Sequence, residues 1–246
     1  MSNLLTQRRI QTVCELRPDA VPGLQVWLDP SDVSTLTYSG SNVTQCADKS
    51  GFGRHVTSAT YGLPPTTTTN TPNGLTALDF TLQQLDHPSN LNYTVGTMLM
   101  AWEHPTASSG NYNGIGGYRT GGYVYSSMDL DLILPSNNPT SRVFMVSNAL
   151  PFMFVLNGQV RPASENEPAN ASPAKTTPNR WNVAALMRTP SSGIKRLCIG
   201  SDPYGPETRR AQNCRIGDVL VYDRILPEWQ ILGLTQYLTR KWGAAQ

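Results

Sequence analysis

RIGDVLVYDRILPEWQILGLTQYLTRKWG, residues 215–243, reads as one strand followed at once by one helix. Ile216 to Tyr222 are β-branched, aliphatic or aromatic apart from Gly217 and Asp218, and polar Arg215 and Asp223-Arg224 bound them, the composition of a mostly buried strand. Pro227 suits a first helical position, Glu228 sits where the amide dipole favours an anion, Arg240 and Lys241 occupy the opposite end, and Gly243 follows as a stop. Ile231, Leu234, Leu238 and Trp242 recur at helical spacing, which predicts a short helix laying one apolar stripe against a sheet. The phrase is expected at the edge of a β-sandwich and holds no catalytic constellation.

Outward from it, the chain is a series of short strands. LQVWLD alternates Leu24, Val26 and Leu28 against Gln25, Trp27 and Asp29, and further runs cover Arg54–Ala59 and Leu75–Phe80. Between these last two lies LPPTTTTNTPNG, whose prolines and threonine run exclude a central strand and predict a surface connection. Met98–Trp102 is densely apolar, while SSMDLDLIL puts Met128, Leu130, Leu132 and Leu134 on one face and Asp129 and Asp131 on the other. Asn157-Gly158 within PFMFVLNGQVR predicts a tight hairpin. NRWNVAALMR places Trp181, Val183, Ala185 and Met187 on one face, and RLCIGSD adds another strand. Roughly ten to fourteen strands and one terminal helix predict an all-β fold, a two-sheet antiparallel sandwich. Residues 1–22 read as an N-terminal extended arm, closed by the Arg-Pro-Asp and Val-Pro-Gly steps, and residues 23–246 as one domain.

Composition narrows the function. Charged residues make up only 15% of the chain and the net charge is +2, with no Lys/Arg run interleaved with aromatics. A nucleic-acid groove and a basic membrane-surface helix therefore have no footprint. The N-terminal stretch lacks the apolar core of a secretory signal, so synthesis and assembly in a cytosol are expected, and the sequons at Asn42, Asn92 and Asn170 carry no weight. Cys14, Cys46, Cys198 and Cys214 form no CxxC pair and His55, His87 and His104 are scattered, so no zinc site is readable. Cys198 and Cys214 flank a polar loop and could bridge neighbouring strands. The alternative, favoured for a protein made in a reducing compartment, is a pair of partly buried thiols.

LQVWLDPSD (24–32), DKSGFGRHV (48–56), NGLTALDF (73–80), VLNGQ (155–159), RWNVAAL (180–186) and IGDVLVYDRIL followed by YLTRKWG resemble, in order and spacing, the concanavalin A-like, laminin G-like jelly-roll superfamily. The resemblance covers Leu24 to Gly243 and implies a jelly-roll sandwich of a kind common in bacteriophage virion proteins and bacterial surface proteins. Glycoside hydrolases of that superfamily carry an ExDxxE phrase, because two carboxylates must flank the scissile bond about 5 Å apart. No such phrase occurs here. Asp129-Leu130-Asp131 comes nearest and reads better as a solvated outer face. No GxSxG elbow is present, so the expectation is a protein that is not an enzyme, with no cofactor. Asp29, Asp32 and Asp48 could offer calcium hard oxygens but follow no loop rule, and no metal site is expected.

Two functional expectations follow. The first is a structural virion protein, a capsid decoration or a tail or fibre component assembled in the host cytoplasm, a homo-oligomer docked on other virion proteins through Arg8, Arg9, Ile10, Cys14 and Leu16. The alternative is a carbohydrate-binding adhesion module for host glycans. Its candidates are Tyr112, Tyr118, Tyr123 and Tyr125 in a stretch of Gly, Ser and Asn suited to stacking on sugar faces.

Overall fold

Two antiparallel sheets face each other across an apolar interior, in a computed structural model that describes residues 16–58, 63–81, 83–87, 93–104, 113–119, 130–134, 153–162, 179–191, 196–200 and 213–244. Strands are numbered along the chain. The first sheet runs β12 (Gln159–Pro162), β11 (Met153–Leu156), β13 (Trp181–Ser191), β8 (Val95–Glu103), β15 (Cys214–Tyr222), β6 (Ala77–Phe80), β5 (Thr66–Thr68), and β1 (Leu24–Leu28) also pairs with β15. The second runs β10 (Leu130–Leu134), β9 (Asn113–Arg119), β14 (Arg196–Ile199), β7 (Leu85–Asp86), β4 (Val56–Ser58), β3 (Asn42–Cys46), β2 (Leu36–Ser39). A single α-helix, α1 (Glu228–Trp242), and two one-turn 3-10 helices, Pro18–Ala20 and Val33–Thr35, accompany them among the described residues. The protein is thus an all-β two-sheet sandwich with a short C-terminal helix.

The first sheet is buried on both faces, which is why its central strands read as continuous apolar runs. Val26, Leu28, Phe80, Met98, Met100, Trp102, Ile216 and Val219 point inward to meet Val43, Val56, Leu85 and Ile199 of the second sheet. Their neighbours Trp27, Ala77, Leu99, Ala101, Val183, Ala185 and Leu220 point outward and are roofed by Ile231, Leu234, Leu238 and Trp242 of α1. All four helix residues are fully buried. A fully buried aliphatic side chain contributes about 1.5–3 kcal/mol, enough to hold a helix that would be marginal alone in water. Gly243 ends it in the left-handed conformation (φ 63°) with its N–H donating to the Thr239 carbonyl.

Several expectations hold in detail. Trp181, Val183, Ala185 and Met187 do share one face, against α1. Asn157 (φ 49°) and Gly158 (φ 79°) form the two-residue turn between β11 and β12, with Leu156 opposite Gln159. Others are corrected. The closing strand lies at the centre of its sheet, between β8 and β6, because both its faces are apolar and only a central position covers both. Thr66–Thr68 form an edge strand on β6, a position that tolerates the flanking prolines. Pro227 is the residue before the first helical turn.

No disulfide joins Cys198 and Cys214. Cys214 faces the interior from the first sheet, whereas Leu197 and Ile199 fill the interior from the second sheet and alternation sends Cys198 to the opposite face. Burial pushes the Cys46 thiol up to about 12 and raises that of Cys214 as well, so both stay protonated.

Candidate functional site

A buried ionic network fixes the end of α1. In β15 the register against β8 slips between Ile216 and Val219, a bulge that presents Asp218 as well as Gly217 to the helix side. Asp218, fully buried, accepts hydrogen bonds from the indole N–H groups of Trp27 (2.8 Å) and Trp242 (2.7 Å) and from the Lys241 ammonium (2.8 Å). Lys241 also reaches Asp29 at 2.7 Å, and Lys49 binds Asp29 (3.0 Å) and Asp32 (2.9 Å). Burial raises the Asp218 carboxyl, and the negative charge of Asp29 raises it further against the pull of Lys241. Burial works in the same direction on Asp29, but the charge and hydrogen bond of Lys241, with bonds from Ser31 and Lys49, outweigh it and hold that carboxyl down. Asp32 is held at about 2 by the Ser34 hydroxyl first and Lys49 second.

These carboxylates are satisfied by ammonium groups and indoles. Asp48, the third acid weighed for calcium, accepts the backbone N–H groups of Trp27, Ser50 and Arg54 and the Ser50 hydroxyl, organising the DKSGFGRH turn. Among the described residues no group of three or more His, Cys, Asp or Glu is placed to hold a metal ion. The phrases LQVWLDPSD, DKSGFGRHV, IGDVLVYD and TRKWG thus meet in one structural knot.

Where α1 stops, the same outer face continues uncovered. The register aligns Trp181 with Glu103, Glu103 with Arg215, and Arg215 with Asp79, one row across β13, β8, β15 and β6. Arg215 donates to Glu103 at 2.8 Å and lies 3.9 Å from Asp79. Three walls rise around this floor. The Asn73 amide donates to the carbonyls of Arg240 (2.9 Å) and Lys241 (2.8 Å), pinning the Asn70–Gly74 turn to the helix end. Gly243 forms the second, packed so closely that an added Cβ would stand 2.6 Å from Pro72. Asn179, at φ 53°, donates its backbone N–H to the His104 carbonyl and holds the third.

The enclosed cleft has a larger lobe of about 470 Å³, lined by Asn70, Pro72, Trp181 and Gly243, and a smaller one of about 250 Å³, lined by Asp79, Phe80, Thr81 and Asn213. Glu103, Asn179 and Arg215 line both. Trp181 is 2% exposed and stacks on Trp242 with ring centroids 4.6 Å apart. Its indole N–H has no hydrogen-bond partner, and a buried donor left so costs about 1–3 kcal/mol.

Of the docking and sugar-binding residues expected from sequence, the two that are described, Leu16 and Tyr118, do not line this cleft. Tyr118 sits in β9 of the other sheet, opposite Leu130 and Leu197, and Tyr112, Tyr123 and Tyr125 fall outside the described residues. So do Arg8, Arg9, Ile10 and Cys14. Leu16 binds its own domain: its N–H donates to the Gly233 carbonyl and it packs on the outer core, where its apolar side chain finds cover. A faint signal for the cleft did exist. Glu103 closes and Arg215 opens an apolar run at positions alternating in step with buried outer residues, but nothing in the sequence says that the two strands are neighbours.

No protein-family model matches the chain, and no curated protein matches it. Among solved structures, Trypanosoma rangeli sialidase in complex with the inhibitor DANA is similar with a TM-score of 0.48 at 12% identity, over 96% of this chain and 36% of that one. Domain 4 of AbnA, a GH43 extracellular arabinanase from Geobacillus stearothermophilus in complex with arabinotriose, gives a TM-score of 0.49 at 11% identity, over 87% of this chain and 98% of that one. The chain spans about a third of the length of the sialidase.

Proposed function

We propose that the protein is a non-catalytic carbohydrate-binding module and that the cleft at the end of α1 holds a neutral, hydroxyl-rich ligand. The observation that carries the reading is the Glu103–Arg215 pair, set in a concave site of ligand size. Two acids, Asp79 and Glu103, and two arginines, Arg180 and Arg215, line the two lobes. Their formal charges cancel, so the site selects poorly for an ion. A hydroxyl both donates and accepts, so adjacent hydroxyls can give a proton to Glu103 while receiving one from Arg215. Pro72 supplies apolar wall for the C–H face of a sugar. Stacking on a broad aromatic platform is not the mode here, because Trp181 is covered.

The reading replaces the tyrosines as the sugar contacts. It also stands apart from virion docking through the arm, of whose named docking residues the described one, Leu16, donates its N–H to the Gly233 carbonyl of the helix. The test is a screen of neutral glycans on an array followed by calorimetry with Arg215→Gln and Glu103→Gln. Each substitution removes a charged hydrogen-bonding partner worth about 1.5–3 kcal/mol, so affinity should fall by about tenfold or more. Binding that survives both substitutions, or an array with no bound glycan, rejects the proposal.

A further inference from the structure

Resting on that carbohydrate reading, we infer that the ligand is an oligosaccharide at least two units long, lying across the Glu103–Arg215 pair with one unit in each lobe. The two lobes adjoin each other. They share three lining residues, Glu103, Asn179 and Arg215, so the ion pair stands at their boundary, where a chain long enough to reach both lobes would cross it.

The floor has the shape such a ligand needs. Trp181, Glu103, Arg215 and Asp79 stand in register on four successive strands, and neighbouring strands lie about 4.8 Å apart. The row therefore extends roughly 14 Å, three strand spacings, with polar groups repeating along it. A monosaccharide can engage the junction from one side only. An oligosaccharide across the row meets Asn70 and Arg180 at one end, the pair in the middle, and Asp79 and Asn213 at the other. The polar groups at the two ends differ, with the Arg180 guanidinium on one side and the Asp79 carboxylate on the other, so a bound chain has a preferred direction.

Calorimetry with length series tests this: glucose, maltose and maltotriose; glucose, cellobiose and cellotriose; galactose and its β-linked di- and trisaccharide. In a series that binds, affinity should rise at least tenfold from monosaccharide to trisaccharide. Thr81→Trp and Asn213→Trp, two exposed positions that line only the smaller lobe, should each fill it and erase that rise, so that the trisaccharide binds no tighter than the monosaccharide. The two variants sit on different segments, and near-ultraviolet circular dichroism reports whether each keeps its native packing. Equal affinity for monosaccharide and trisaccharide, or a length dependence that survives in both well-folded variants, overturns the two-lobe ligand and leaves the carbohydrate reading standing. Absence of binding across all series overturns both.

Discussion

The outer face of the first sheet carries two acid–base pairs near the C-terminal end of α1, one beneath the helix and one just beyond it. Under it, Asp218 and Lys241 meet at 2.8 Å with side chains 0% and 14% exposed. Beyond it, Glu103 and Arg215 meet at the same distance but are 16% and 28% exposed, beside an open cleft. The covered pair has its remaining hydrogen-bonding capacity filled by Trp27, Trp242 and Asp29, whereas the uncovered one borders space that a ligand can fill. The same pair chemistry is structural where protein completes its bonds and available for binding where protein stops.

The comparison is broken most severely from the covered side. Lys241→Met leaves Asp218 buried without its ammonium partner and is expected to cost about 3–5 kcal/mol in denaturant unfolding. The same residue sets the alkaline limit. Burial lowers the Lys241 pKa, but Asp218 and then Asp29 more than reverse this and hold it above its ordinary 10.5. A cation so raised contributes stability fully present below pH 10.5 and lost as pH rises through the folded value. Unfolding free energy against pH should therefore fall above 10.5 in the native chain, and fall less steeply in Lys241→Met.

A smaller loss is expected at the bulge. An added Cβ on Gly217 would stand 2.3 Å from the Trp242 ring, so Gly217→Ala should cost about 1–3 kcal/mol by forcing the indole off Asp218. Thermal unfolding, with tryptophan fluorescence reporting the moved ring, measures it. Smallest is the effect on stability at the uncovered pair. Glu103→Gln and Arg215→Gln, combined in a double-mutant cycle, should show a coupling of about 0–1 kcal/mol. A coupling as large as that at Asp218–Lys241 would mean that the cleft pair is also a structural element, and the contrast would dissolve.

Much of the fold was legible because it depends on period. The alternation in NRWNVAALMR identified the face that Trp181, Val183, Ala185 and Met187 turn to the helix, and the spacing of Ile231, Leu234, Leu238 and Trp242 identified the stripe that meets it. Period says which side of a strand is buried and nothing about which strand lies next to it. For that reason β15 was expected at an edge and is central, and Cys198 and Cys214 could be imagined as neighbours though they belong to different sheets. The site was harder still. Glu103 and Arg215 are 112 residues apart, and neither belongs to a motif.

Residue order alone determined that this chain makes a β-sandwich with a capped C-terminal helix, since burial of alternating and helically spaced apolar side chains is a local property of the sequence. Tertiary structure decided where that helix ends on the sheet, and hence which charged residues are sealed and which face a cleft. Strand adjacency and cover arise from contacts between distant segments, and it is cover that sets whether a carboxylate and a cation complete each other within the protein or remain open to a sugar's hydroxyls.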